Sequence, residues 1–178
     1  VDLLMDCSGA YTDGARAASH LDSGARRVLI SAPATNVDKT VVYGVNHREL
    51  DGSERLISNA SCTTNAASPI VSILEDKLDI EKALLDTIHG YTATQKLVDG
   101  PMPKDYRRGR AAAQNIVPST TSAAKGVTQA VEGVPFFDGM SVRVPVSLGS
   151  YVDLTFVTKK DTSAEEVTQI LTDAAADA

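Results

Sequence analysis

The sequence has almost no cysteine. Two residues, at positions 7 and 62, give no disulfide framework, and the reducing cytoplasm is the compartment that suits them. Basic charge is in the minority. With 17 Lys and Arg against 23 Asp and Glu, the net charge is -6, which argues against general nucleic-acid or membrane-surface binding, since both need a basic face. No apolar run approaches the roughly 18 residues that cross a bilayer. No stretch reads as a signal peptide. The sequence starts without Met and opens inside a strand pattern, as a piece of a longer chain would. Internal repeats and low-complexity segments are lacking. What remains is an ordinary globular composition, 43% hydrophobic and 22% charged over 178 residues, enough for one full domain or two partial ones.

Residues 1–60 alternate in type. Val1 to Met5 reads as a strand. Thr12 or Asp13 can cap a helix carrying Ala15, Ala17, Ala18 and Leu21, closed by Ser23-Gly24. Arg27 to Ser31 is continuously apolar in the manner of a buried parallel strand, and Val41 to Tyr43 reads as a third. Strand, helix and strand within about thirty residues make a βαβ unit with a right-handed crossover. The second half changes character. Leu84 to Thr94 and Val142 to Val157 read as long strands, with alternation at Val152, Leu154 and Phe156. Between them Gln95 to Ala113 has no clear period, and a loop of that length is often functional. Thr120 or Thr121 caps a helix over Ala123 to Val131. Ser163 with Glu166 forms a capping box for a last helix that runs to Ala178.

The run SNASCTTN, Ser58 to Asn65, places Cys62 between a short strand (Glu54 to Ile57) and a helix. That helix, Thr63 to Leu78, sets Ala67, Ile70, Val71, Leu74 and Leu78 at helical spacing. Ser61, Thr63 and Asn65 are capping types, so the helix starts beside the sulfur. A thiol is mostly protonated at neutral pH, and orphan N–H groups at a helix start favour its thiolate. The competing reading is a small buried hydrophobe. Cys7, at the end of an apolar strand, reads as packing.

Of the three histidines, His47 in a polar turn and His20 on a polar helix face read as solvated. His89 sits near a strand end that opens onto the long loop, where sheet proteins place catalytic groups. Near a thiolate it can form an ion pair and shuttle protons, or it can be a satisfied core histidine. Arg107, Arg108 and Arg110 crowd the loop. Arg143 stands in the apolar strand SVRVPV, where an arginine normally has a charged partner. Arginines together with Thr92, Thr94, Thr120 and Thr121 suit phosphate. A thiolate, a base and oxyanion-binding groups serve two classes of acyl transfer. One is thiol hydrolysis or transfer without a cofactor. The other is aldehyde oxidation through a thioester, which needs a nicotinamide and is favoured by the βαβ unit.

These residues resemble a known family. SNASCTTN is similar to the active-site stretch of phosphorylating glyceraldehyde-3-phosphate dehydrogenases. VDLLMDCSGAYTD and RRVLISAPA resemble strands and turns under that family's NAD. HGYTATQKLVDGP, YRRGRAAAQNIVPSTTSAAK and DGMSVRVPV resemble its base and phosphate-site segments. The resemblance implies Cys62 as nucleophile and His89 as base. It implies Ser61, Thr63, Arg108, Thr121 and Ser122 as the site for attacking inorganic phosphate, and Thr92, Thr94 and Arg143 as the site for the substrate C3 phosphate. It further implies Ser8, Gly9, Ser31 and Ala32 as cofactor contacts.

Several positions depart from the family. Ala66 stands where many members have a second cysteine. Gly90 replaces a common Ser or Ala and would loosen His89. Ser122 replaces a usual Gly, and Val146-Ser147-Leu148-Gly149 replaces Thr-x-Asn-Val. No G-x-G-x-x-G occurs, so the pyrophosphate-binding turn and the acidic residue that selects NAD over NADP are missing. The expected fold is therefore α/β. The C-terminal part of a Rossmann-type parallel-sheet domain (residues 1–61) precedes an α+β catalytic domain with a mixed or antiparallel sheet (62–178), incomplete at its C-terminus. The resemblance implies a cytoplasmic, homotetrameric parent that oxidises glyceraldehyde 3-phosphate with NAD (or NADP) and inorganic phosphate, with no metal. The piece alone is expected to be inactive. The alternatives are erythrose 4-phosphate oxidation and an inactive fragment that keeps only an assembly surface.

Overall fold

A computed structural model describes residues 1–103 and 105–176. Residue 104, in the long loop, and residues 177–178, the expected end of the last helix, lie outside that description. The chain builds two sheets. In the first, β1 (Leu3–Asp6), β2 (Arg27–Ile30), β4 (Leu56–Ser58) and β3 (Lys39–Thr40) lie parallel in the order β1-β2-β4-β3. The helix α1 (Gly14–Asp22) links the first two strands. Asp13 caps it, accepting the Ala15 N–H at 3.0 Å, so Asp13 is the cap and Thr12 is not. Ala17, Ala25, Val28 and Ile30 form a small core between α1 and the sheet.

The second sheet is mixed, in the order β6-β7-β5-β8. Its strands are β5 (Ile80–Gly90), β6 (Val117–Ser119), β7 (Phe137–Val144) and β8 (Ser150–Thr158). The strands β5 and β7 run parallel, while β8 and β6 pair antiparallel to them. Three helices cover one face: α2 (Cys62–Leu78), α3 (Ala123–Ala130) and α4 (Ala164–Ala176). On β5 the buried and open positions alternate from Ala83 to Thr87, as a strand with one covered face requires. Ala83 and Leu85 pack against Ala67, Val71 and Leu74 of α2 and Val127 of α3. The α/β class with one parallel and one mixed sheet is thus as expected. Among the described residues no helix is long and apolar enough to cross a membrane.

Several local expectations are corrected. Val41 to Tyr43 is not a strand. The pairing segment ends at Thr40, because Asn46 Oδ1 takes the Val42 N–H at 2.8 Å and the Val45 N–H turns back to the Val42 carbonyl at 3.1 Å. The β5 strand starts at Ile80 and stops at Gly90, earlier at both ends than its apolar pattern suggests. Helix α2 passes through Pro69 without ending. The ring removes the N–H that would reach Asn65, and burial of the α2 face outweighs that loss. At the start of α3 the cap position is Ser122, which makes no side-chain cap bond, and the Thr121 hydroxyl instead accepts the Ala123 N–H at 3.1 Å. Of the capping box on α4, Ser163 Oγ accepts the Glu166 N–H at 3.2 Å, while the Glu166 carboxylate takes the Thr162 hydroxyl.

Candidate active site

Strands in a parallel sheet all point the same way, so their C-terminal ends share one edge, and ligands gather there. Along this edge lie Ser8-Gly9 after β1, Ser31-Ala32 after β2 and the Asn59–Cys62 turn after β4. The edge is tied together by the Ser31 N–H to Asp6 carbonyl bond at 3.0 Å and the Asn59 N–H to Ile30 carbonyl bond at 2.9 Å. Gly9 has φ +72, a conformation that favours glycine. Ser8 and Ser31 are exposed, and Ala32 receives the Ser58 hydroxyl on its carbonyl at 2.8 Å.

Asp6 holds this edge from beneath. Its carboxylate accepts the Ser8 hydroxyl at 2.7 Å, the Ser8 N–H at 2.9 Å and His20 Nε2 at 3.0 Å. His20 also packs on Tyr11, ring centroids 4.4 Å apart. It is therefore a structural partner and not the solvated residue its polar helix suggests. The Ser8 bonds, with His20 behind them, hold the Asp6 carboxyl below its ordinary value of 3.8. A lowered folded-state value stabilises above 3.8, and that contribution is lost as pH falls through the folded value. Asp6→Asn is expected to cost about 1–2 kcal/mol at neutral pH. In urea melts the gap to wild type should close below pH 3.8; a gap independent of pH would show that the charge is not the source. Cys7, next along, is exposed. The expectation that it packs is not met: β1 ends at Asp6, and Cys7 lies past the strand.

The turn before Cys62 is strained and braced. Ala60 has φ +57, uncommon for a residue with a Cβ, and its N–H is taken by Ser58 Oγ at 3.1 Å. Ser61 caps α2, accepting the Thr64 N–H at 3.0 Å, and bonds Thr64 Oγ1 at 2.8 Å. Asn65 is a capping type but acts differently. Its amide donates back to the Asn59 and Ser61 carbonyls at 2.8 and 2.9 Å, clamping the turn. Cys62 is thus the first residue of α2 and is exposed, while Thr63 is buried. The Cys62 and Thr63 N–H groups precede the first intrahelical donors and lie beside the sulfur.

His89 reaches this point from the end of β5, with its Nε2 3.6 Å from Cys62 Sγ. Its Nδ1 lies 2.7 Å from the Gly90 carbonyl and 2.8 Å from Arg143 NH1. Arg143 comes from the adjacent β7, whose register pairs it directly with His89. The expected charged partner for Arg143 is absent among the described residues. Its guanidinium instead donates to the Gly90 carbonyl at 3.0 Å and faces the imidazole. Burial, then the neighbouring Arg108 charge, lowers the Arg143 pKa, and the Cys62 sulfur opposes them. Arg108 NH1 donates to Thr94 Oγ1 at 3.2 Å, and Thr94 pairs with Thr92 Oγ1 at 2.9 Å. Asp105 holds Arg107 and Arg108 from outside at 3.4 Å.

Direct bonds therefore join Cys62, His89 and Arg143, and a second set joins Thr92, Thr94 and Arg108. Ser122 lines a neighbouring cleft of about 880 Å³, between the Pro33–Thr40 segment and α3, whose wall also includes Ala60 and Thr64 from the turn at Cys62. Sequence reasoning did not anticipate the Gly90 carbonyl, Asp6 or the Ala60 strain.

Gly90 is the departure expected to loosen His89, and its surroundings show why it is glycine. Its N–H bonds the Gly149 carbonyl at 3.0 Å, Tyr91 N–H bonds the Val146 carbonyl at 3.2 Å, and a Cβ on Gly90 would meet the Val146 oxygen at 2.7 Å. The unusual Val146–Gly149 segment and Gly90 thus fit each other. Gly90→Ala is expected to destabilise by about 1–3 kcal/mol. The Cys62–His89 distance should change with it, detectable as altered Cys62 alkylation; a neutral effect on both would mean the segment yields freely.

The family model for "Glyceraldehyde 3-phosphate dehydrogenase, C-terminal domain" matches residues 61–178. The chain belongs to the glyceraldehyde 3-phosphate dehydrogenase family. It is 49% identical over 168 residues to the glyceraldehyde-3-phosphate dehydrogenase of Mycobacterium avium, covering 94% of this chain and 49% of that protein. It is 44% identical over 177 residues to that of Zymomonas mobilis, covering 98% and 52%. With the Clostridium pasteurianum protein the identity is 45% over 177 residues, covering 98% and 53%. The chain spans about half the length of these glyceraldehyde-3-phosphate dehydrogenases.

Proposed function

We propose that this chain carries the nucleophile, the base and the phosphate-binding groups of an enzyme that oxidises glyceraldehyde 3-phosphate to 1,3-bisphosphoglycerate with inorganic phosphate. The observation that carries the reading is Cys62 Sγ at a helix start, 3.6 Å from His89 Nε2, with cationic Arg108 and Arg143 nearby. Division into a nucleotide-binding part (1–61) and a catalytic part (62–178) belongs to the same proposal.

The Cys62 thiolate attacks the aldehyde carbon, forming a C–S bond. The Cys62 and Thr63 N–H groups are placed to stabilise the oxyanion that results. The oxyanion takes up a proton from water, and His89 Nε2 then removes that hydroxyl proton as the hydride on the same carbon leaves, so that the carbonyl re-forms as a thioester. The residues at the parallel-sheet edge fit a dinucleotide: the turns are exposed, Gly9 leaves the backbone open, and the nucleophile shares the edge. Ser8, Gly9, Ser31 and Ala32 would hold NAD, which supplies the hydride acceptor when bound. Inorganic phosphate attacks the thioester carbon, the C–S bond breaks, and Cys62 is regenerated. Thr92, Thr94 and Arg143 would bind the C3 phosphate, and Ser61, Thr63, Arg108, Thr121 and Ser122 the attacking phosphate. Arginine forks and hydroxyls suit both anions. The exposed apolar outer face of the mixed sheet, with Leu84, Met140, Tyr151 and Val157, supports a homotetrameric parent, and an unpaired Cys62 suits the cytoplasm.

Assay of the whole protein with glyceraldehyde 3-phosphate and erythrose 4-phosphate, each with NAD and NADP, tests this reading. Acid quenching before phosphate is added should trap an acyl group on Cys62 by mass spectrometry. Both cysteines are exposed, so accessibility does not separate them. The helix start and His89 should nonetheless make Cys62 alkylate with iodoacetamide far faster than Cys7 at neutral pH. Equal labelling, or an acyl group found elsewhere, would remove Cys62 as nucleophile.

A further inference from the structure

The two serines on the open edge of the parallel sheet are bonded differently, and the difference decides what each can hold. A hydroxyl has one proton to give and two lone pairs to receive with. Ser8 Oγ lies 2.7 Å from Asp6 Oδ1 and accepts the Ala10 N–H at 3.1 Å. The Ser8 bonds hold the Asp6 carboxyl below its ordinary value, so it is ionised at neutral pH. An ionised carboxylate only accepts, and Asp6 therefore claims the single Ser8 hydroxyl proton. The Asp6 side chain is 5% exposed and is held on both oxygens. Oδ1 also takes the Ser8 N–H at 2.9 Å, and Oδ2 lies 3.0 Å from His20 Nε2. Ser8 itself is exposed. Its hydroxyl has one lone pair left and no proton to offer. Ser31 donates its backbone N–H to the Asp6 carbonyl at 3.0 Å, and among the described residues its hydroxyl has no partner.

We propose that Ser8 is an acceptor-only contact, fixed in that role by Asp6, and that it selects a ribose hydroxyl of a dinucleotide over a phosphate oxygen. Pyrophosphate oxygens are acceptors and find no proton at Ser8 Oγ. The Asp6 charge, 2.7 Å behind that oxygen, repels them as well. A ribose hydroxyl brings the missing proton and donates it to the remaining lone pair. The neighbouring residue points to the same part of the ligand. Gly9 has φ +72, and nothing lies within 4 Å of the place a Cβ would take, so backbone is open there to a pyrophosphate. The group one residue away from a bound pyrophosphate is the sugar attached to it. Ser31, whose proton is free, can serve a phosphate oxygen, so the two serines divide the ligand between them. The ribose assignment rests on the reading of this edge as a dinucleotide site; the polarity of Ser8 does not.

Neutron diffraction from deuterated crystals of the whole protein, free and with NAD, tests the polarity. The Ser8 hydroxyl deuteron is expected on the line to Asp6 Oδ1 in both. A deuteron turned to solvent or to NAD would overturn the proposal. Calorimetric titration with NAD and its single-deoxy analogues (2′ and 3′, on either ribose) tests the ligand. Ser8→Ala is expected to weaken NAD binding by about 3-fold to 10-fold, the worth of one hydrogen bond. One analogue should lose the same factor on the wild type and lose nothing further on Ser8→Ala. Unchanged NAD binding by Ser8→Ala would overturn the ribose assignment. So would an equal loss for NAD and every analogue, which would show only that the turn had shifted. If Ser8→Ala does not fold, the crystal with NAD decides: a ribose deuteron aimed at Ser8 Oγ supports the assignment, and a phosphate oxygen in that place overturns it. Failure of the wild-type protein to bind NAD would overturn the ribose assignment together with the cofactor reading, while the free crystal still decides the polarity of Ser8.

Discussion

His89→Asn in the whole protein is expected to slow hydride transfer by about 100-fold to 10,000-fold, the span for loss of a general base. Asparagine can still place a polar group near the Gly90 carbonyl, but nothing in it reaches the position of Nε2, 3.6 Å from Cys62 Sγ. Aldehyde binding should weaken far less, because the proposed phosphate contacts lie on Arg143, Thr92 and Thr94 and survive the change. Single-turnover absorbance of the reduced nicotinamide separates the two effects. An unchanged rate of hydride transfer would make His89 a structural residue, and its approach to Cys62 would carry no chemistry.

The largest effect on stability is expected from Leu85→Ala, at about 3–5 kcal/mol. Leu85 is fully buried and stands on the central β5, paired with Gly139 of β7 and Leu154 of β8. It faces Ala67 and Val71 of α2 and Val127 of α3. The neighbours cannot collapse into the space: α2 and α3 already touch at Gly126, where a Cβ would meet Thr64 Oγ1 at 2.5 Å. A domain's whole stability is of order 5–15 kcal/mol, so the variant should unfold at much lower urea. His89 lies four residues further on the same face of β5, so the loss should also loosen the site and slow Cys62 alkylation. A cost under about 1 kcal/mol would show a core that repacks freely.

The sequence by itself determined the elements whose signals are local. The capping run around Cys62, the helical spacing of Ala67, Val71, Leu74 and Leu78 (Ile70, from the same series, is left exposed), and the apolar strand expected over Arg27 to Ser31 and observed over Arg27–Ile30 each report what a few neighbouring residues do to their own backbone. Each recurs in the fold. The octapeptide and the segments around His89 and Arg143 named the family for the same reason: the chemistry is written in short runs. What only the tertiary structure decided depends on partners far along the chain. Val41 to Tyr43 has strand composition, but Asn46 captures its backbone. Cys7 follows an apolar run, but it stands past the end of that strand and is exposed. His20 looked solvated because Asp6, its partner, lies on another element. Arg143 looked as though it needed a carboxylate, and found a histidine and a carbonyl. That last meeting is set by the register of β5 against β7, across 54 residues of chain. Register is fixed by which faces the helices bury and not by any local preference, and one step of slip would turn Arg143 to the other face of the sheet.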